Sequence, residues 1–326
     1  MKTTNKLFLI AIIVVIISCK KDTKNTTTAP PNSNTDNYPS VQAFFSTNNI
    51  AIQTYTIDAS TGGSFTSLQG TTVTIPPNAF LTKLNVPVTG NVTIQFKDIY
   101  KKSDMFLESM PTVMFGGAPL ISGGEFFIKA VQNNAALILA SGQRIDVSQP
   151  SSLTGGVNAA IPQKAFVGID SSNCSAICTT SIFWVPTTAD SVKAFSQNYI
   201  FSLYQFRFPE DSGSWCNSDN STFFASYPQT TLTLAAQDSV NTYGTEVFLF
   251  FKNQTSMVHV YNNWYGKFSY SYAPQGLQCT AVAVGIKGGK LYSSFTPITI
   301  GANQTVPFAL SATTTSTFIA QLKTLD

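Results

Sequence analysis

The sequence predicts an all-β protein: two or three tandem β-sandwich domains after an export leader and a tether, with one short helix at the C-terminal end. Three observations predict it. Charged residues make up only 11% of the 326 positions against 43% hydrophobic, and Val, Ile, Thr, Tyr and Phe, which suit a pleated surface, recur in short runs. Those runs alternate, as in Val92-Thr93-Ile94-Gln95-Phe96-Lys97, where apolar side chains fall on one face and polar ones on the other. Between the runs stand Asn, Gly, Ser and Pro, the residues of turns. No self-similarity of solenoid length interrupts this pattern.

Taken in order, the chain opens with Lys2 and Lys6 ahead of an unbroken apolar run over 7–17. That run is about half the ~20 residues needed to cross a bilayer, so residues 1–18 read as a signal peptide. Ile16-Ile17-Ser18-Cys19 closes it and resembles the lipobox of bacterial lipoproteins, with Ile16 where Leu is usual. The resemblance implies that Cys19 becomes the acylated mature N-terminus. More than one acyl chain anchors a protein stably to a membrane. Lys20-Lys21-Asp22 resembles the signal that sends Bacteroidetes-type lipoproteins to the exterior face of the outer membrane, although Thr23 stands where a second acid is frequent. Residues 19–45, rich in Thr, Asn, Pro and Ser without periodicity, read as lipid anchor and mobile tether.

Residues 46–150 carry the clearest strand faces. Val92, Ile94 and Phe96 share one side, Phe126, Ile128 and Ala130 another, and Ile145 with Val147 a shorter one. Ser103 can cap a short helix through Leu107. Residues 62–80, GGSFTSLQGTTVTIPPNAF, resemble the β-sandwich module shared by ankyrins, netrin receptors and a zonula occludens protein, the ZU family. The likeness covers about 50–148 and implies a sandwich that packs and binds protein rather than one that catalyses. Asn78 stands where that family usually has Gly, and Asn tolerates left-handed backbone angles. The segments 86–94, 103–105 and 123–126 resemble surface lipoproteins of the same phylum, whose function is uncharacterised.

The Ser-, Gly- and Pro-rich stretch 149–163 reads as a domain boundary, followed by a β-rich middle region over 151–224. Within it, strands are expected at 182–185 and 199–208. A turn-rich passage at 209–220 holds Trp215 and Cys216. Residues 225–326 read as an immunoglobulin-like domain with strands near 230–234, 246–251 and 257–261. Lys287-Gly288-Gly289-Lys290 supplies the two positive φ angles of a tight hairpin. A helix over 315–325 would place Phe318, Ile319 and Leu322 on its apolar side.

Composition excludes some functions. Loss of Lys2 and Lys6 with the leader lowers the formal charge from +3 to +1, and the arginines are only Arg144 and Arg207. Nucleic acid is therefore not an expected partner. Once Cys19 is acylated, Cys174, Cys178, Cys216 and Cys279 remain, with three possible disulfide connectivities. The favoured one joins Cys174 to Cys178 locally and Cys216 to Cys279 at long range. Zinc is disfavoured, because Cys216 and Cys279 lack close partners in sequence.

Catalysis finds little support. His259 is the only histidine, placed by alternation opposite Val258 and Val260. The self-cleavage device of some ZU-containing proteins is a His-aromatic-Ser motif, but here Val260-Tyr261 follows His259 and the serine nucleophile is missing, so self-cleavage is not expected. Asp98, Asp104, Glu108 and Glu125, and Glu210 with Asp211, match no glycosidase pattern. The Gly116-Gly117, Gly123-Gly124 and Gly155-Gly156 pairs lack the context of a phosphate cradle. No enzyme activity, cofactor or metal is expected.

Aromatic residues remain as binding candidates: Trp215, and Tyr261, Trp264 and Tyr265 around Asn262-Asn263. Such rings can anchor a protein partner or stack on a sugar. Asp190-Ser191-Val192 and Asp238-Ser239-Val240 resemble the O-glycosylation motif of the same phylum, at Ser191 and Ser239. The expected function is a lipid-anchored structural or protein-interaction module at the cell surface. The alternative is an accessory glycan-binding lipoprotein, and a hydrolase ranks third.

Overall fold

The computed structural model describes residues 36–158, 162–170, 182–206, 213–237, 244–262 and 266–326. The signal peptide, Cys19, Cys174, Cys178, Glu210, Asp211, Ser239, Trp264 and Tyr265 lie outside them. The described chain is dominated by strands arranged in several sheets, with three short helices, so the all-β expectation holds.

Two sheets face each other. Among the described residues the first runs in the order β1 (Gln53–Asp58), β5 (Asn91–Ile99), β6 (Ile121–Gln132), β14 (Ser214–Asn220), β10 (Lys164–Asp170) and β11 (Ile182–Pro186), with β7 (Ala135–Ala136) beside β6. The second runs β12 (Ser191–Phe195), β13 (Asn198–Leu203), β9 (Ile145–Pro150), β3 (Thr72–Ile75) and β2 (Gly63–Thr66). A small pair, β4 (Phe80–Leu81) with β8 (Ile138–Leu139), covers one end. Val92, Ile94, Phe96, Phe126, Ile128 and Ala130 point from the first sheet into the core, where Ile145 and Val147 meet them from the second. The alternation read from the sequence is thus the inward face of a sandwich. Asn78 adopts φ 57°, the left-handed turn expected at that position.

The stretch 149–163 is not a break between sheets. β13 pairs with β9 across it, and β14 pairs with β6. Most of the expected middle region therefore completes the sandwich begun by residues 53–150. The reason is edge closure: β6 and β9 carry backbone donors and acceptors that the later strands satisfy. The passage 209–220 also differs from expectation, since Ser214–Asn220 is strand β14, held by β6 on one side and β10 on the other.

The third sheet comes wholly from later residues. Its order is β21 (Gln304–Phe308), β15 (Gln229–Ala236), β18 (Lys267–Pro274), β17 (Met257–Asn262), β16 (Thr245–Phe251), β19 (Gln278–Lys287), β20 (Lys290–Thr299) and β22 (Ser311–Ala312). These eight form one hydrogen-bonded path. β17 turns the corner, pairing with β16 through residues 257–260 and with β18 through Tyr261 and Asn262. Gly288 and Gly289 take φ 58° and 78° in the β19–β20 hairpin, as their sequence required.

One face of this sheet encloses Leu232, Leu234, Val247, Leu249, Val258 and Val260. Its other face is covered by α1 (Val41–Asn48), α2 (Lys102–Leu107) and α3 (Thr315–Lys323). Phe44 and Phe45 of α1 meet Phe318 and Phe106 edge-on at 5.7 and 5.3 Å, contacts worth about 0.5–1.5 kcal/mol each beyond burial. The tether read over 19–45 is therefore already ordered in its last part: Ser40 caps α1, and Val41, Phe44 and Phe45 are buried. Three apolar residues at helical spacing outweigh the polar composition around them.

The segment between α2 and β6 joins sandwich to third sheet. Thr112 donates its N–H to Met257 O at 2.7 Å, and Ser122 donates its N–H to Thr255 O at 2.8 Å. Trp184 of β11 is fully buried against Met110, Leu120 and Phe166, and its indole N–H reaches Pro111 O at 3.0 Å. A buried ring with its one donor satisfied makes a strong interlock.

Candidate functional site

The binding candidates separate in space. Trp215 is half-buried on β14, its ring 5.3 Å from Phe127 with the Lys97 ammonium 5.9 Å away. It fills the seam between sandwich and third sheet instead of standing in an exposed loop. Tyr261 is half-buried at the β17 corner, 4.4 Å from His259. Ser191 is half-buried on β12, at the edge of the second sheet.

Cys216 and Cys279 are not joined to each other. Cys216 lies in the sandwich core, and Cys279 lies in the core enclosed by the third sheet. The expected long-range staple is therefore corrected: strand alternation turns each sulfur into a different interior. Ser103 is not the helix cap either. Lys101 occupies that position, and Ser103 itself is held from outside the helix by Asp326.

His259 faces away from Val258 and Val260, as alternation required. Its Nε2 lies 2.6 Å from the Glu246 carboxylate, and its ring stacks on Phe248 at 4.6 Å. Histidine, glutamate and the surrounding rings form one packed cluster beneath α1, whose Gln42 also reaches Glu246.

The acidic residues fall into two environments. Asp98, buried at one end of the sandwich core, accepts from Ser67 Oγ at 2.6 Å, from Thr71 Oγ1 at 2.5 Å and more weakly from Gln53. Burial pushes its carboxyl up, opposed by those donors. Glu125 and Asp219, fully buried on β6 and β14, are less well supplied. Glu125 Oε2 and both oxygens of Asp219 have no hydrogen-bond partner among the described residues. Burial holds both carboxyls well above the usual range, and Asp219 adds to the effect on Glu125. Such groups are costly to bury bare.

The surface offers an aromatic shelf. In the turn Met114–Gly117 the Gly117 N–H returns to Met114 O at 2.9 Å, and Gly116 and Gly117 take φ 103° and 99°. This lifts Phe115 to 64% exposure. Tyr270 donates its hydroxyl to Gly117 O at 2.9 Å, fixing the turn to β18. Tyr272, 43% exposed, lies over Gly117 closely enough that a side chain there would meet its ring. Phe183 stands 6.3 Å from Phe115 and 6.5 Å from Tyr261. Phe115, Phe183, Tyr261 and Tyr272 thus line one side of the molecule around the glycine turn, with buried Tyr270 fixing the turn from below.

Of these the sequence pointed only to Tyr261. Phe115 beside two glycines was the signal for the rest, because a large apolar side chain inside a turn has nowhere to be buried. A second surface feature is a cleft of about 470 Å³ between sandwich and third sheet, lined by Tyr100, Tyr199, Gln163, Asn253, Gln254 and Asp326 among others. Its walls mix amide, hydroxyl and charged groups with apolar side chains such as Ile121 and Leu153.

Among the described residues no three His, Cys, Asp or Glu side chains gather in a way that could hold a metal ion, and no helix is long and apolar enough to cross a membrane. No protein-family model matches the chain, and no curated protein matches it.

Proposed function

We propose that the protein is a non-catalytic binding module, held at the outer surface of the outer membrane by an acylated Cys19, which captures a protein partner on the Phe115–Tyr272 shelf. The single observation that carries this reading is the shelf itself. Two large exposed rings, Phe115 of the turn and Tyr272 of β18 packed against Gly117, meet at a turn whose backbone is pinned by Tyr270. Ordered, exposed aromatic residues contribute contact area at small entropic cost, as at interface hot spots. The sandwich and third sheet, interlocked through Trp184 and the Thr112–Met257 bond, supply a rigid support. His259 supports a structural role, since it is packed against Glu246 and Phe248 below the surface.

The cleft between sandwich and third sheet favours a second reading, glycan capture, because its amides and hydroxyls are groups that pair with sugar hydroxyls and its tyrosine rings can stack on a sugar. One experiment separates the two. Wild-type protein and the Phe115→Ala/Tyr272→Ala double variant are cross-linked on intact cells and also applied to a glycan array. A cross-linked protein partner lost only in the variant supports the first reading. Glycan binding indifferent to both substitutions, with no cross-linked protein, replaces it with the second. Retention of a Cys19→Ser variant in washed membranes, with palmitate still incorporated, removes the anchor.

A further inference from the structure

We propose that Glu125 and Asp219 form the centre of an interior site for one hard divalent cation of the calcium type. The argument starts from β-strand register. Glu125 on β6 lies opposite Asn217 on β14, and Ser122 lies opposite Asp219, with a bulge between the two pairs. Directly opposed residues project from the same face, so two carboxylates, a carboxamide and a hydroxyl share one patch. All four side chains are at most 1% exposed. Asn217 already touches both neighbours, with Nδ2 3.4 Å from Glu125 Oε1 and Oδ1 accepting from Ser122 Oγ at 2.8 Å.

Donors are short here. Glu125 Oε2, Asp219 Oδ1 and Asp219 Oδ2 are fully enclosed acceptors without a partner among the described residues. The nearby ammonium, Lys97, is engaged with Glu108 at 2.6 Å. Glu108 and Asp219 both oppose the charge on Glu125. With the Lys97–Glu108 pair balanced and Lys164, opposite Asp219 on β10, exposed, the enclosed Glu125 and Asp219 when ionised carry two negative charges, which one divalent ion cancels. The available atoms are all oxygens, which selects a hard cation over zinc or copper. With only two carboxylates free to bind it, the ion takes Asn217 as a neutral ligand. Turning the Asn217 amide over presents Oδ1 to the ion and leaves Nδ2 to donate to Ser122 Oγ, which also accepts from the Gly124 N–H at 3.1 Å and so stays outside the ion's ligand set.

An approach exists. Ile121 and Gln163 line the 470 Å³ cleft. Each immediately precedes a register neighbour of Asp219: Ser122 on β6 and Lys164 on β10. The cleft therefore ends one residue from the site on two strands.

The test uses the full-length protein in detergent. It is stripped with EDTA, titrated with CaCl2 and followed by thermal unfolding, with ion content measured by elemental mass spectrometry after desalting. The expected result is one bound calcium and a midpoint raised by roughly 5–10 °C at a hundredfold excess over the dissociation constant. Both effects should vanish in Asp219→Asn and Glu125→Gln. Those variants remove the buried charge, so in EDTA they should unfold no earlier than stripped wild type. Should either fail to fold, the ion content and calcium-dependent midpoint of wild type still decide. No retained ion and no calcium-dependent midpoint overturns the site. A calcium-independent midpoint whose fall with rising pH is lost specifically in Asp219→Asn or Glu125→Gln would overturn the ion site and assign the pair one shared proton.

Discussion

The carboxylate of Asp326 accepts from both the backbone N–H and the hydroxyl of Ser103, each at 2.8 Å. Helix α2 begins with Lys101 at the cap position, whose side chain makes no cap hydrogen bond. A residue 223 positions away therefore supplies what a local Ser or Asp supplies elsewhere. Packing makes this possible, since Phe318 and Leu322 of α3 share a core with Phe106 and Leu107 of α2. Asp326→Ala should cost about 1 kcal/mol, the lower part of the cap range because the carboxylate is partly exposed. That corresponds to a midpoint lowered by roughly 2–4 °C. Asp326→Asn, which keeps one acceptor oxygen, should lose less. Equal midpoints for all three proteins would show that the contact holds nothing.

The same corner should respond to pH. Burial, with a smaller contribution from Asp326, raises the Asp104 carboxyl to about 6. An unfolded aspartate titrates near ~3.9. Between those values the folded state binds more protons than the unfolded one. This group's contribution is fully present below about pH 4 and is lost as pH rises through about 6. Asp104→Asn should remove that slope. Midpoints measured from pH 4 to 7 for both proteins isolate it as their difference, and parallel curves would refute the assignment.

Gly124 marks the bulge where β6 departs from regular pairing, with φ 127°. An added Cβ would run into the Tyr100 ring and lie 2.7 Å from Gln149 Nε2. Gln149 in turn donates to Gly124 O at 2.7 Å and accepts from Ser218 at 2.6 Å. Gly124→Ala should therefore combine backbone strain with a core clash, at about 3 kcal/mol or more. Gly142→Ala shares a positive φ of 78° but meets nothing within 4 Å, so it should cost only about 1 kcal/mol. Denaturant midpoints that rank the two in the opposite order would contradict this account.

How far the fold was legible follows from the range of each cause. Alternation acts between neighbours, so Val92, Ile94 and Phe96 announced their inward face. The continuation of both sheets past 149–163 did not show, because the pairing partners of β6 and β9 are fixed by closure of the sandwich. Strand β14 was hidden for a related reason: Ser214-Trp215-Cys216-Asn217-Ser218-Asp219-Asn220 has turn-like composition, and two flanking strands override it. That misreading moved Trp215 to the surface and kept Glu125 and Asp219 apart, since nothing local links residues 94 positions distant. The Gly116-Gly117 pair is read in sequence only against a phosphate cradle, which leaves its neighbour Phe115 unremarked.

The shelf should be dispensable for folding. Phe115 is 64% exposed, so Phe115→Ala should shift stability by no more than about 0.5 kcal/mol. Phe224 is buried against Phe251 at 4.9 Å, and Phe224→Ala should cost about 3–5 kcal/mol. Comparable losses at the two sites, measured by urea unfolding, would mean that the Phe115 ring holds the structure together and is unavailable to a partner.

Cys279 gives a prediction about chemistry rather than stability. Its side chain is 3% exposed, and burial pushes the thiol up to about 12. The thiolate is the form that reacts with alkylating reagents. At pH 8 the folded protein should therefore leave Cys279 unlabelled by iodoacetamide over hours. The same reagent in strong denaturant, with no reductant added, should label it fully, because the residue is a thiol and not half of a disulfide. Peptide mapping by mass spectrometry reads this position separately from the other cysteines. Labelling that appears only after reduction would restore the long-range staple and contradict the placement of Cys216 and Cys279 in two separate cores.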